Sequence, residues 1–369
     1  MKNTHNIAIL GTRGIPANYG GFETFAEEVS ARLAARGHTV TVYCRVGNSV
    51  HTGSVYKGVR LVVLPTIKHK YLDTIVHAFL SVWHVSFSGV RIVYICNAIN
   101  SVFAFIPRLF GKKVIINVDG LEWKRAKWNN LGKKAYQVSE WIATKLANVI
   151  ISDSRGIQQY YRDKFRYEAV YITYGAEKKV ASSNDELLKN FGLENRNYIL
   201  YVSRLEPENN ALIMIQAYAR VKTDMPLVIV GHAPYGKPYI QKLRTTADSR
   251  VKFLGAVYGE GYATLQSHAY MYLHGNEVGG TNPALLEAMA FGNCVLANGV
   301  SFNQEVVSEA GLCFEPGNIA DLQQKITHLL SKPDIVDTFR GLAVKRISKL
   351  FNWDDIVLQY EELFSDMLR

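Results

Sequence analysis

The sequence predicts an α/β protein of two domains, each a doubly wound parallel sheet. Apolar strand-like runs alternate with helix-patterned segments along nearly the whole chain. Most of these runs are continuous Val/Ile/Leu stretches, as expected of parallel strands covered on both faces. The alternation is interrupted once, by a polar stretch at residues 176–197, and then starts again.

In the first half the strand-like runs are residues 6–11, 40–44, 60–64, 91–96, 113–118 and 149–152. A helix is expected over 22–36, where Phe25, Val29 and Leu33 recur at every fourth position and Gly37 supplies a C-cap. A second is expected over 131–148, with Val138, Ile142, Leu146 and Val149 inward and Lys133, Lys134 and Lys145 elsewhere. The longest uncharged stretch lies between Asp73 and Arg91. Its 17 residues include His77, His84 and Gly89. As a helix it would reach about 25 Å, short of a ~30 Å hydrocarbon core, so it reads as a helix leading into the next strand. After the polar stretch the runs are 198–203, 227–231, 251–254, 271–274, 294–297 and 312–314. This divides the chain into a first domain over 1–175, a linker over 176–197 and a second domain from 198. Ligands of such sheets sit outside the carboxyl ends of the strands, which places them in a cleft where the two sheets face each other.

The formal charge of +10 over 369 residues is unevenly shared, at +13 for residues 1–175 and −3 for residues 176–369. A basic first half implies an anionic partner. Cys44, Cys96, Cys294 and Cys313 are scattered, without a C-x-x-C or a His pair at ligand spacing, which reads as free thiols in a reducing compartment. The first residues run straight into a strand pattern with no signal-peptide apolar region, so a cytoplasmic location is expected.

Three clusters carry chemistry. The first strand ends in Gly11-Thr-Arg-Gly14, followed by Asn18-Tyr-Gly-Gly-Phe-Glu23 and a helix. Glycines between strand and helix let backbone N–H groups approach an anion, although a plain βα turn needs them too. The second is His274-Gly-Asn-Glu277-Val-Gly-Gly-Thr-Asn-Pro-Ala-Leu-Leu-Glu287. Here a strand runs into glycines, and a helix starting near Pro283 carries Glu287 in its first turns. Glu287 is either an acceptor for sugar hydroxyls or a partner of the helix dipole. The third is Arg204-Leu-Glu-Pro-Glu-Asn-Asn210 after strand 198–203. Arg204 suits bidentate binding of a diphosphate, or an ion pair with Glu206 or Glu208.

The order Gly-Gly-Phe-Glu, Arg-Leu-Glu-Pro and Pro-Ala-Leu-Leu-Glu-Ala-Met-Ala-x-Gly resembles the family-4 retaining glycosyltransferases of GT-B fold, with two Rossmann-like domains. The resemblance covers nearly the whole chain. It makes 198–350 a nucleotide-sugar-binding domain, 1–175 an acceptor-binding domain and 351–369 a helix returning to the first domain. The stretches 11–25 and Val118-Asp-Gly-Leu-Glu-Trp-Lys-Arg125 look more specifically like bacterial rhamnosyltransferases that extend lipid-diphosphate-linked sugars for surface polysaccharides.

By position, the resemblance implies that Arg204 binds the donor diphosphate and Glu287 a ribose or deoxyribose hydroxyl. Gly20, Gly21, Gly279, Gly280 and Thr281 would offer donors to phosphate and sugar. Arg13, Tyr19, Phe22, Glu23 and Trp123 would meet the acceptor. Asp119 and Glu122 are candidates for a general base, with a helix cap as the alternative for Asp119. Retention implies same-face displacement assisted by the leaving phosphate, whose charge Arg204 and helix N-termini would stabilise. Two departures matter: the family's Glu-x7-Glu signature would put its first Glu at 279, a glycine here, and the usual Lys after the Arg strand is missing. Lys237, in the loop after strand 227–231, is the candidate replacement. No Asp-x-Asp occurs, so no metal clamp is expected, and no cofactor beyond a nucleotide-sugar substrate.

The donor implied is dTDP-rhamnose. The stretch from Lys112 through Trp123 and Trp128 to Lys134 interleaves aromatics with cations. With the resemblance, it suggests peripheral attachment to an anionic membrane surface on the cytoplasmic side, rather than nucleic acid or a solvated face. Competing readings are a family-4 enzyme using a UDP-hexose, a nucleotide-sugar epimerase of related fold and a non-catalytic nucleotide-sugar binder.

Overall fold

Continuous apolar runs become buried central strands. A computed structural model describes residues 4–17, 20–48, 51, 53–67, 69, 72–125, 128–179, 185–233 and 236–369. It forms two units, residues 1–175 with 353–369, and residues 176–352.

The first unit holds β1 (Asn6–Leu10), β2 (Thr39–Arg45), β3 (Val55–Tyr56), β4 (Val59–Leu64), β5 (Ile92–Cys96), β6 (Lys113–Asn117), β7 (Val149–Ser152) and β8 (Val170–Tyr171). Their order is β3-β4-β2-β1-β5-β6-β7-β8. Every pair is parallel except the β3–β4 hairpin. The two-residue β3 and β8 are too short to show a period, so the sequence reading lacks them. Helices α1 (Gly21–Ala35), α2 (Leu72–Ser86), α3 (Phe105–Leu109), α4 (Asn130–Leu146) and α5 (Arg155–Phe165) connect these strands. The strand order reverses between β1 and β5, the switch point at which open sheets bind ligands.

The second unit begins with α6 (Asp185–Asn190), inside the stretch expected to be a linker, and Leu188 and Leu193 there are buried. That stretch is therefore partly folded into the second unit. Strands β9 (Ile199–Val202), β10 (Leu227–Val230), β11 (Val251–Gly255), β12 (Met271–His274), β13 (Cys294–Asn298) and β14 (Gly311–Phe314) follow. Their sheet is all parallel in the order β11-β10-β9-β12-β13-β14. Its switch point lies between β9 and β12. The helices are α7 (Ala211–Tyr218), α8 (Lys237–Thr246), α9 (Gly259–His268), α10 (Pro283–Ala290), α11 (Ser301–Val307), α12 (Ile319–Ser331) and α13 (Pro333–Leu350).

The last helix, α14 (Trp353–Leu368), belongs to the first unit. Its Tyr360 hydroxyl meets that of Tyr94 on β5 at 3.1 Å, and Glu361 bonds Arg36 Nε at 2.9 Å and His38 Nε2 at 2.8 Å.

One face was misassigned from the sequence. In α4 the buried residues are Tyr136, Ser139, Glu140 and Ala143, whereas Val138 is 46% exposed. The helix lies close to the short turn Ala98–Phe103, where Ser101 Oγ donates to the Ser139 carbonyl at 2.6 Å. Small side chains permit that approach. Glu140 is held by the Tyr160 hydroxyl at 2.7 Å, which compensates its burial.

Candidate functional site

In the second unit, two of the sequence clusters meet at the switch point. Arg204 follows β9, Gly275 follows β12, and Ser203 Oγ donates to Asn276 Oδ1 at 3.2 Å across the two strand ends. Asn210 Nδ2 donates to the Gly275 carbonyl and to Glu277 Oε2, both at 2.9 Å. Asn298 and Asn303 hold the same loop from behind, through the carbonyls of Gly275 at 3.2 Å and Asn276 at 2.9 Å. The loop backbone is thus fixed before any ligand arrives.

Arg204 is half-buried, and among the described residues its guanidinium has no carboxylate partner. The alternative ion pair with Glu206 or Glu208 is not made. Gly279 has φ +149°, where a side chain is strained, and a Cβ there would meet nothing within 4 Å. The missing signature carboxylate therefore leaves open space. Gly280 and Thr281 are buried beside it, and Asn282 caps α10 by accepting from the Ala284 N–H at 3.0 Å. Pro283 occupies the first helical turn of α10.

Glu287 is the fifth residue of α10, so it stands in the second turn rather than the first, where coupling to the helix dipole fades. Its Oε2 accepts from the Tyr262 hydroxyl at 2.7 Å. Gln266 Nε2 donates to that hydroxyl at 3.1 Å, and Asn293 Nδ2 holds Gln266 Oε1 at 3.0 Å. Burial, with Glu287 beside it, pushes the Tyr262 pKa well above the ordinary phenol value, so it stays a donor. Lys237 is the exposed first residue of α8 instead of a loop residue. His274, ending β12, is buried with neither ring nitrogen hydrogen-bonded, and burial pushes its pKa down to about 3.

In the first unit, Gly11 follows β1 with φ +92°, and a Cβ there would lie 2.4 Å from the Cys96 carbonyl of β5. Only glycine fits. Glu23 on α1 is buried and accepts from the Arg13 N–H at 2.8 Å, tying the loop after β1 to the helix. Gly20 is the N-cap position of α1, Gly21 its first residue, and Phe22 is half-buried. Tyr19 lies outside the described residues.

Asp119 follows β6 with φ +40°, and its N–H donates to Asn117 Oδ1 at 3.0 Å. It caps no helix: Leu121 precedes the short turn Glu122–Lys124. Burial and the neighbouring Glu122 raise the Asp119 pKa, against a hydrogen bond with Asp153 and the charge of Arg125. Glu122 is paired with Arg125, whose Nε lies 2.6 Å from its Oε1. Trp123 is half-buried, with the ammonium groups of Lys124 and Lys164 at 5.7 and 5.6 Å from its ring. Trp128 packs on Tyr136 at 5.1 Å. The tryptophans of that basic stretch are therefore engaged by the protein, and Lys127 lies outside the described residues. Among the described residues no group of His, Cys, Asp or Glu could hold a metal ion.

Sequence reasoning missed Asp153, Tyr262, Gln266, Asn293, Asn298 and Asn303. Asp153, directly after β7, could have been found by its place at a strand's carboxyl end. The others stand on neighbouring elements and give no local pattern.

Comparison with known proteins agrees with this architecture. Residues 4–177 match a family described as a domain of unknown function, DUF1972, and residues 183–343 match glycosyl transferases group 1. The chain is 27% identical over 181 residues to an O-antigen chain mannosyltransferase B of Escherichia coli, covering 47% of each chain. It is 28% identical over 138 residues to N-acetylgalactosamine-N,N'-diacetylbacillosaminyl-diphospho-undecaprenol 4-alpha-N-acetylgalactosaminyltransferase of Campylobacter jejuni, covering 35% of this chain and 36% of that one. These matches span less than half the length of either relative. Sucrose-phosphate synthase from Thermosynechococcus elongatus shares the fold, with a TM-score of 0.83 at 19% identity over 99% of both chains. The two-sheet fold is that of the GT-B glycosyltransferases.

Proposed function

We propose that this protein, whose residues 183–343 match glycosyl transferases group 1, transfers a sugar from a nucleotide-diphosphate donor to a growing bacterial glycan. The observation that carries this reading is the second unit's switch point. There Arg204, whose guanidinium has no carboxylate partner among the described residues, follows β9, and a braced glycine loop leading to the oriented carboxylate of Glu287 follows the neighbouring β12.

In this reading Arg204 and the N–H groups of the Gly279–Gly280 turn neutralise the leaving diphosphate, where negative charge grows in the transition state. Glu287, oriented by Tyr262, accepts a hydroxyl of the donor's pentose. The first unit receives the acceptor through Arg13, Phe22 and Glu23, with Asp119 taking the proton from its hydroxyl. The leaving phosphate assists attack on the same face, so the anomeric configuration is retained without a protein nucleophile or a metal. The donor is dTDP-rhamnose and the acceptor a lipid-diphosphate-linked saccharide. Two observations support a lipid-diphosphate acceptor: one similar protein is named for a diphospho-undecaprenol substrate, and the other for an O-antigen chain.

The test is product mass spectrometry with a panel of nucleotide sugars and lipid-diphosphate acceptors. Sugar added to the acceptor supports transfer. Donor altered without acceptor would indicate an epimerase, and donor affinity without turnover would indicate a binding protein.

A further inference from the structure

Helix α2 is apolar on both faces, with Ala78, Val82 and Val85 among its buried residues. Its buried face also includes His77, Ser81 and Ser86. Its outer face carries Ile75, Phe79 and Trp83 at steps of four, continued by Phe87 just past its end. These four are 41%, 40%, 40% and 71% exposed. The Trp83 and Phe87 rings stack at 5.8 Å, and Phe87 meets Phe110 at 4.8 Å. Phe110 follows α3, whose Leu109 is 78% exposed. The result is one continuous aromatic surface. Single exposed apolar residues are ordinary, but a contiguous patch marks an interaction site.

The surrounding charge indicates the occupant. No Asp or Glu occurs between Asp73 and Asp119, and Asp73, in the first turn of α2, is paired with Arg45 Nη1 at 2.6 Å. The cations there are Arg108, exposed on α3, Lys112, whose Nζ donates to the Ser88 carbonyl at 2.6 Å, and exposed Lys113. Exposed aromatic rings fringed by cations match an anionic bilayer surface. Among the described residues no helix is long and apolar enough to cross a membrane, so this face would lie on the bilayer rather than span it.

We propose that the α2–α3 face of the first unit docks on an anionic lipid bilayer. It takes the role that the sequence suggested for Trp123–Trp128, whose rings are packed against the protein. The inference rests on the proposed function only for its purpose, access to a lipid-linked acceptor.

The test uses vesicles of phosphatidylglycerol with phosphatidylethanolamine, and vesicles of phosphatidylcholine alone. Wild type should sediment with the former, less at high salt, and not with the latter. Phe87→Ser with Leu109→Ser, at exposed positions, should weaken binding on the order of tenfold or more while circular dichroism stays unchanged. Lys112→Ser with Lys113→Ser should remove part of the salt dependence. Turnover of a short, water-soluble acceptor should be the same in the Phe87/Leu109 variant as in wild type. Undiminished binding by that variant, equal binding to neutral vesicles, or no binding to either would overturn the proposal. So would a wild-type dimer that the variant dissolves, since a second copy would then cover this face. Vesicle binding without any sugar transfer would instead count against the proposed reaction and leave the docking face standing.

Discussion

The Tyr262 hydroxyl on α9 donates to Glu287 Oε2 on α10 at 2.7 Å, and Gln266 and Asn293 stand in series behind it. A carboxylate held in this way has its orientation set by the protein. If Tyr262 acts through Glu287, Tyr262→Phe should lower kcat/KM for the donor roughly fivefold, the loss of about 1 kcal/mol. In a Glu287→Gln background the same change should have almost no further effect. A double-mutant cycle measures this coupling, and additive losses would show that Tyr262 merely supports the fold.

The pH dependence of folding should carry the mark of His274. The unfolded ring binds a proton near 6.5 and the buried one only near about 3. The folded pKa is depressed, so the unfolded state takes up the proton first. Stability tied to this group is complete above pH 6.5 and declines as pH falls toward 3. Each pH unit in that window removes up to ~1.4 kcal/mol. His77, lowered by burial to about 4, acts in the same direction. Urea unfolding at pH 7 and pH 5 should therefore show a smaller acid loss for His274→Phe than for wild type, by about 2 kcal/mol. Equal losses would mean that the ring protonates in the folded state.

Much of this was legible in the sequence, for physical reasons. Strands such as β1, β5 and β12 are buried on both faces and announce themselves as unbroken apolar runs. Gly11 and Arg204 stand beside strand ends, and Glu287 in the helix after one, where a local pattern is enough to locate them along the chain. What stayed hidden depends on contacts between distant segments. The face of α4 was misread because an apolar period names a stripe, while Ser139 is buried by close approach to Ser101. The outward stripe of α2 reads in the sequence as an ordinary core-facing period. The Glu287–Tyr262–Gln266–Asn293 series spans two helices and the loop after α10, so no spacing rule reveals it.

Turnover should survive exhaustive chelation. In the proposed reaction Arg204 and the braced loop would supply the positive potential that a metal clamp would otherwise provide. Loss of activity on chelation, restored by magnesium or manganese, would contradict this.

Donor choice should follow Gly279. A site lacking the carboxylate that would hold the transferred sugar's hydroxyls no longer favours sugars placed to meet it. With dTDP-rhamnose, UDP-glucose and UDP-N-acetylglucosamine at equal concentration, the product should gain a deoxyhexose. A gain of hexose or N-acetylhexosamine would overturn the donor assignment and leave the fold unaffected.

The most direct test of the donor site is the turnover of Arg204→Ala and Glu287→Gln beside wild type, with the same donor and acceptor. Loss of a charged, partly buried hydrogen bond at the reacting diphosphate or pentose should cost roughly 2–4 kcal/mol of transition-state stabilisation. That corresponds to kcat/KM lowered about 30- to 1000-fold in each folded variant. Wild-type turnover by either would remove that residue from the donor site, and wild-type turnover by both would contradict the account.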